Sequence, residues 1–136
     1  MLKNTFNKQE RLYGKKAIDL LFAKGLSLTQ MPVKLIFKTA LTSQLYPCKA
    51  MFVVPKKKFK RSPDRNLLKR RMREAYRLNK NSLYNKLNDK GVKINCAFIF
   101  IHNQIEDFNV IDKAILTLLN QSVNKLKSPP HNRIID

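Results

Sequence analysis

One stretch limits the possible folds more than any other: a long helix bracketed by its own start and stop signals. Ser62-Pro63 offers a hydroxyl N-cap followed by proline at the first helical position, where its missing N–H is not needed. Gly91 stands just past the other end, where a left-handed residue closes a helix. A helix is therefore expected from about Pro63 towards Asn88. At about 100° per residue, Leu68, Met72, Ala75, Tyr76, Asn79, Leu83 and Leu87 share one sector and are expected to pack on a sheet. Asn66, Arg70, Arg73 and Arg77, spaced 4, 3 and 4, line a different sector, with Lys69 and Lys80 on its flank. Glu74 is placed to pair with Arg70 or Arg71.

The neighbouring elements follow from periodicity. Residues 11–25 read as a short helix, with Gly25 at the position past its end where a positive φ is needed. Residues 32–41 alternate Val33, Leu35 and Phe37 against Lys34, Ile36 and Lys38, a strand with one wetter face. Residues 43–47 look like a turn, with room for a further short strand near Leu45, and residues 49–55 form a second strand ended by Pro55. Residues 92–102 are a near-continuous apolar run, expected as a central strand buried on both faces. In residues 106–126, Ile111, Ala114, Ile115, Leu118 and Leu119 give the stripe of an amphipathic helix. The expected fold is α+β, a single sheet of about four strands in the order α-β-β-(β)-α-β-α.

The sign of the charge then points to a partner. Lys and Arg number 28 against nine acids, a formal net charge of +19, which favours nucleic acid or an anionic membrane surface. No apolar run approaches the eighteen or so residues of a membrane span, and the N-terminus has no signal-peptide core. A cytoplasmic protein with no membrane partner is expected. The charge is also concentrated: residues 49–77 hold twelve of the 28 cations and only two acids, Asp64 and Glu74. They include the N-terminal end of the long helix, where backbone N–H groups help hold phosphate. Arginine forks grip phosphate oxygens in pairs. With one sign dominating a defined stripe, polyanion binding is preferred to a merely solvated face. Residues 1–127 are read as one RNA-binding domain and 128–136 as a flexible tail.

Protein-based catalysis finds little support. His102 and His131 have no Cys, His or carboxylate at ligand spacing, the acids are scattered, and the three glycines form no phosphate loop. Cys48 and Cys96 form no CxxC pair, and Cys96 in "CAFIFI" reads as a small buried hydrophobe. A DNA-recognition helix would follow a compact turn, whereas this one follows a strand and a lysine loop. A ribosomal protein or a nucleic-acid chaperone shares the charge and stands as the alternative.

Arg65-Asn66, Lys69-Arg70, Arg73-Glu74 and Arg77 resemble, in register, the signature helix of the bacterial ribonuclease P protein family. A strand ending at Val54 and the lysines Lys56 and Lys57 precede it, and Arg11-Leu12, Phe22 and Gly25 resemble the family's first helix. The likeness runs from about residue 6 to 126 and is sharpest over 50–77. Leu67 stands where the family often has a third basic residue, Ser62-Pro63 where it has a small apolar pair, and Ile18 where a second aromatic is usual. The linker is about one residue longer, so Lys56, Lys57 and Lys58 all remain candidates for the family's lysine pair.

The resemblance implies an accessory subunit of an RNA enzyme that removes the 5′ leader of precursor tRNA. It implies no catalytic side chain, no cofactor bound by the protein alone, and Mg²⁺ used by the RNA holoenzyme. It also implies a left-handed β-α-β crossover, against the general rule. The partners would be the catalytic RNA and precursor tRNA, with no obligate protein partner. Candidate contacts to the catalytic RNA are Lys56, Lys57, Lys58, Lys60, Arg61, Arg65, Asn66, Lys69, Arg70, Arg73 and Arg77. A cleft between the first helix and the sheet would hold the leader. Single strands are held by cations and stacked on aromatics, which makes Phe22, Lys34, Phe37 and Phe52 the candidates, with Tyr46 and Lys38 nearby. A core position is the competing reading for each aromatic.

Overall fold

The computed structural model describes residues 6–40 and 44–126. After a short 3₁₀ turn at Lys8–Glu10 come α1 (Lys15–Lys24), β1 (Leu26–Gln30), β2 (Val33–Thr39), β3 (Cys48–Val53), α2 (Ser62–Lys90), β4 (Ile94–Phe100) and α3 (Phe108–Lys125). The strands form one mixed sheet in the order β1-β2-β4-β3. β1, β2 and β4 are antiparallel neighbours, whereas β3 and β4 run parallel and are joined by α2. The α+β order is the expected one, but the additional strand is β1 and not a segment near Leu45. The tail at 128–136 lies outside the described residues.

The pleat sends alternate residues to opposite faces. Val33, Leu35 and Phe37 of β2, Cys48 and Ala50 of β3, and Ile94, Cys96, Phe98 and Phe100 of β4 are buried in the main core with α2 and α3. α2 lies against β3, and α3 against β1 and β2. The predicted apolar stripes hold, since Leu68, Met72, Ala75, Tyr76, Leu83 and Leu87 of α2 and Ile111, Ala114, Ile115, Leu118 and Leu119 of α3 are all buried; Asn79 is instead half-buried and donates to Asp112 of α3 at 2.9 Å. The other face carries a smaller cluster, in which Leu12 and Leu21 meet Ile36 and Ala97 beneath α1.

Helix ends differ from expectation in instructive ways. Gly91 closes α2 at φ 69°, as expected. Ser62 does not cap α2 but lies inside its first turn, after Arg61 at the N-cap position. α1 begins only at Lys15, with Gly14 at φ 101° before it. Gly25 has φ −73°, so it is not a left-handed cap. It is needed for a close approach: a Cβ there would lie 2.5 Å from the Leu21 carbonyl oxygen and 2.7 Å from Ile36 Cγ2.

Candidate nucleic-acid interface

The basic loop keeps its place through one apolar anchor. In "KKKFKR" the ring of Phe59 is buried, edge-on to Phe100 with ring centroids 5.7 Å apart. Lys56, Lys57, Lys58, Lys60 and Arg61 are exposed around it. Arg65 closes the loop onto α2. Its guanidinium donates to the carbonyls of Phe59 and Lys60, both at 2.8 Å, and to Ser62 Oγ at 2.9 Å. Sequence reading placed Arg65 among the RNA contacts and missed both Phe59 and this loop-closing role.

Along α2, Asn66 and Arg70 are exposed, and Lys69, Arg73 and Arg77 are half-buried. Leu67 is half-buried as well. Glu74 pairs with Arg77 and not with Arg70 or Arg71, accepting from Nε at 2.8 Å and from Nη2 at 2.7 Å. That bond holds the Glu74 carboxyl below its usual range and raises the Arg77 pKa. Arg73 moves the other way: partial burial first, then the charges of Arg11 and Arg70, lower its pKa. Lys80 does not belong to this face. It is 2% exposed, and its ammonium meets the buried Glu10 carboxylate.

A groove of about 620 Å³ runs between α1 and the sheet. Leu12, Ala17, Leu20 and Leu21 form its apolar wall, and Tyr13, Lys38, Lys49 and Asn95 bring polar and aromatic groups. Lys38, Lys49 and Asn95 come together because register pairs both lysines with Asn95 across three strands. The Lys49 ammonium sits 5.9 Å from the centroid of the Tyr13 ring, which is 65% exposed. The buried Asn95 Oδ1 has no hydrogen-bond partner among the described residues.

The expected leader residues divide. Phe37 is fully buried on the opposite face of the sheet, so it offers no surface to a base. Phe52 is also turned to the helical side, stacked on Phe98 at 5.4 Å. Both lie on the helical side of the pleat, opposite the groove, whereas Lys34 and Lys38 stand on the groove's side. Tyr46 also leaves the site, its hydroxyl accepting from Asn7 Nδ2 at 2.9 Å. Phe22 is 44% exposed but lies about 200° around α1 from Leu20, and neither it nor Lys34 lines the groove. Tyr13 and Lys49, unselected in the sequence reading, do line it. No spacing signal marks them, because three separate segments bring the groove together.

His102 does meet a carboxylate, with Nδ1 2.6 Å from Glu106 Oε2. No three His, Cys, Asp or Glu side chains gather into a metal-binding group among the described residues. Among these residues, no helix is long and apolar enough to cross a membrane.

A family model for ribonuclease P matches residues 6–123. The ribonuclease P protein component of Porphyromonas gingivalis is 30% identical over 109 residues, covering 80% of each chain. That of Chlorobaculum tepidum is 39% identical over 83 residues, 59% of this chain and 54% of that one. Among solved structures, the RNase P protein from Thermotoga maritima has a TM-score of 0.66 at 24% identity, covering 82% of this chain and 96% of that one. The RNase P protein of Staphylococcus aureus has a TM-score of 0.66 at 15% identity, covering 83% and 94%.

Proposed function

Because this chain belongs to the ribonuclease P protein family, as an accessory subunit of that endoribonuclease, we propose how its two surfaces divide the work. The basic loop and the outer side of α2 dock on the catalytic RNA. The groove beside α1 takes the single-stranded 5′ leader of precursor tRNA. The RNA carries out the cleavage, with the Mg²⁺ that the holoenzyme requires.

The observation that carries this reading is the arrangement of the signature. Asn66 and Arg70 of α2 are exposed, Lys69 and Arg73 are half-buried on the flank of its buried stripe, and the exposed lysine loop leads directly into that helix. Phosphate contacts by such residues release counterions, so binding falls steeply with salt. The groove supplies what a single strand needs: Lys38 and Lys49 for the backbone and the exposed Tyr13 ring for stacking. Phe22 and Lys34 extend the leader path beyond the groove.

The test is a salt titration of binding to the catalytic RNA. Replacing Lys69 or Arg70 by Ala should lower the log–log slope by roughly 0.7–0.9 per lost contact. A slope equal to wild type in both variants would remove α2 from the RNA interface.

A further inference from the structure

The segment 6–12 joins the two surfaces and is pinned to both the sheet and α2. Leu12 N–H donates to the Ala50 carbonyl at 2.9 Å, and Arg11 forms an isolated parallel bridge with Ala50 on the edge of β3. The Phe6 ring lies edge-on to Phe52 and Tyr76, with centroids 5.7 and 5.6 Å away. Glu10 is 1% exposed. One of its oxygens accepts from Lys80 Nζ and from the Tyr84 hydroxyl at 2.8 Å, and the other accepts from Asn7 N–H at 2.8 Å. A buried ion pair is weak evidence for stability, because desolvation offsets its attraction. Its best-attested use is to set register.

The residue whose register it sets is Arg11. This side chain is exposed, and its guanidinium carbon lies 5.3 Å from the centroid of the Phe6 ring. Phe6 in turn rests on Tyr76 of α2, one turn after Arg73. Arg11 and Arg70 are both near enough to lower the Arg73 pKa, after the effect of burial. Glu74, in the same part of α2, is held by Arg77. Through Phe6, Arg11 of the N-terminal segment is thus linked to the turn of α2 that follows Arg73.

We infer that Arg11 is a further guanidinium of the RNA-binding face, which with Arg70 and Arg73 holds a backbone phosphate of the catalytic RNA, and that the Glu10–Lys80 clamp positions it. The inference rests on the docking of α2 proposed above. It enlarges the interface beyond the signature to a residue more than fifty positions upstream.

The experiment is a salt titration of catalytic-RNA binding by wild type, Arg11→Gln, Arg11→Lys, Arg70→Ala and Glu10→Ala, each with a thermal melt. Arg11→Gln should lower the slope by roughly 0.7–0.9, as Arg70→Ala does, with an unchanged melting temperature. Arg11→Lys keeps the charge and should keep the slope. Glu10→Ala should lower the slope as much as Arg11→Gln, with no further loss in the double variant. A wild-type slope in Arg11→Gln beside a reduced one in Arg70→Ala overturns the inference alone. Wild-type slopes in both overturn it together with the docking of α2. A wild-type slope in Glu10→Ala removes the clamp's positioning role. If Glu10→Ala does not fold, the two Arg11 variants still decide the contact.

Discussion

Lys80 and Glu10 are separated by 70 positions in sequence, yet their charged ends meet in the interior, where the side chains are 2% and 1% exposed. The contact ties the N-terminal segment to the middle of α2. Removing one partner leaves the other charged and buried, so Lys80→Ala should lower the unfolding free energy by about 3–5 kcal/mol. The double change Lys80→Met, Glu10→Leu should cost far less, because neither charge then remains. Urea unfolding of the two variants makes the comparison.

Arg65 and Arg70 share the signature but should behave differently. Arg65 holds two loop carbonyls and Ser62 Oγ, so Arg65→Ala should destabilise the fold by about 1–3 kcal/mol. It should also lower the RNA-binding salt slope by more than one contact, because the loop that presents Lys56, Lys57, Lys58 and Lys60 loses its closure. Arg70→Ala should leave the melting temperature unchanged and remove a single contact. Thermal melts run alongside salt titrations separate the two cases.

In the groove, Tyr13→Ala should weaken binding of precursor tRNA to the holoenzyme by about 1–3 kcal/mol, the worth of a stacked base, and leave mature tRNA unaffected. Phe37→Ala should instead reduce stability by about 3–5 kcal/mol, since it empties a fully buried site. Competition binding with the two tRNAs, together with unfolding curves, checks both expectations. Equal losses for the two tRNAs in Tyr13→Ala would assign that ring to another surface.

Stability should also depend on pH on the alkaline side. Burial, then the hydrogen bond with Cys48 (Sγ–Sγ 3.2 Å), pushes the Cys96 thiol well above its ordinary pKa. The folded thiol stays protonated where the unfolded one ionises. The contribution is therefore complete below about pH 8.5 and is lost progressively above it. The loss from this group is at most about 1.4 kcal/mol per pH unit. Unfolding free energy measured from pH 7 to 10 should fall over this range, and more gently in Cys96→Ala.

Local patterns made most of the fold legible, and pairing between distant segments hid much of the site. The sectors of α2 and α3 and the alternation of β2 follow from periods of 3.6 and 2, and the structure buries the residues those periods select. β1 escaped because "LSLTQ" is an exposed edge strand with little apolar signal. Lys80 was misplaced because a lysine on a helix flank is ordinarily solvated, and nothing local reveals a carboxylate 70 positions upstream. For Phe37 the family resemblance pointed to the leader, whereas the alternation of β2 sets it opposite Lys38 and in the core. Tyr13, Lys49 and Asn95 come together only through strand register and the placement of α1.

The most direct test of the functional account is multiple-turnover cleavage of a precursor tRNA by the matching catalytic RNA at low Mg²⁺. With the protein present, cleavage at the mature 5′ end should be much faster than with RNA alone, and the protein alone should cleave nothing. Equal rates with and without the protein, or cleavage by the protein alone, would contradict the account.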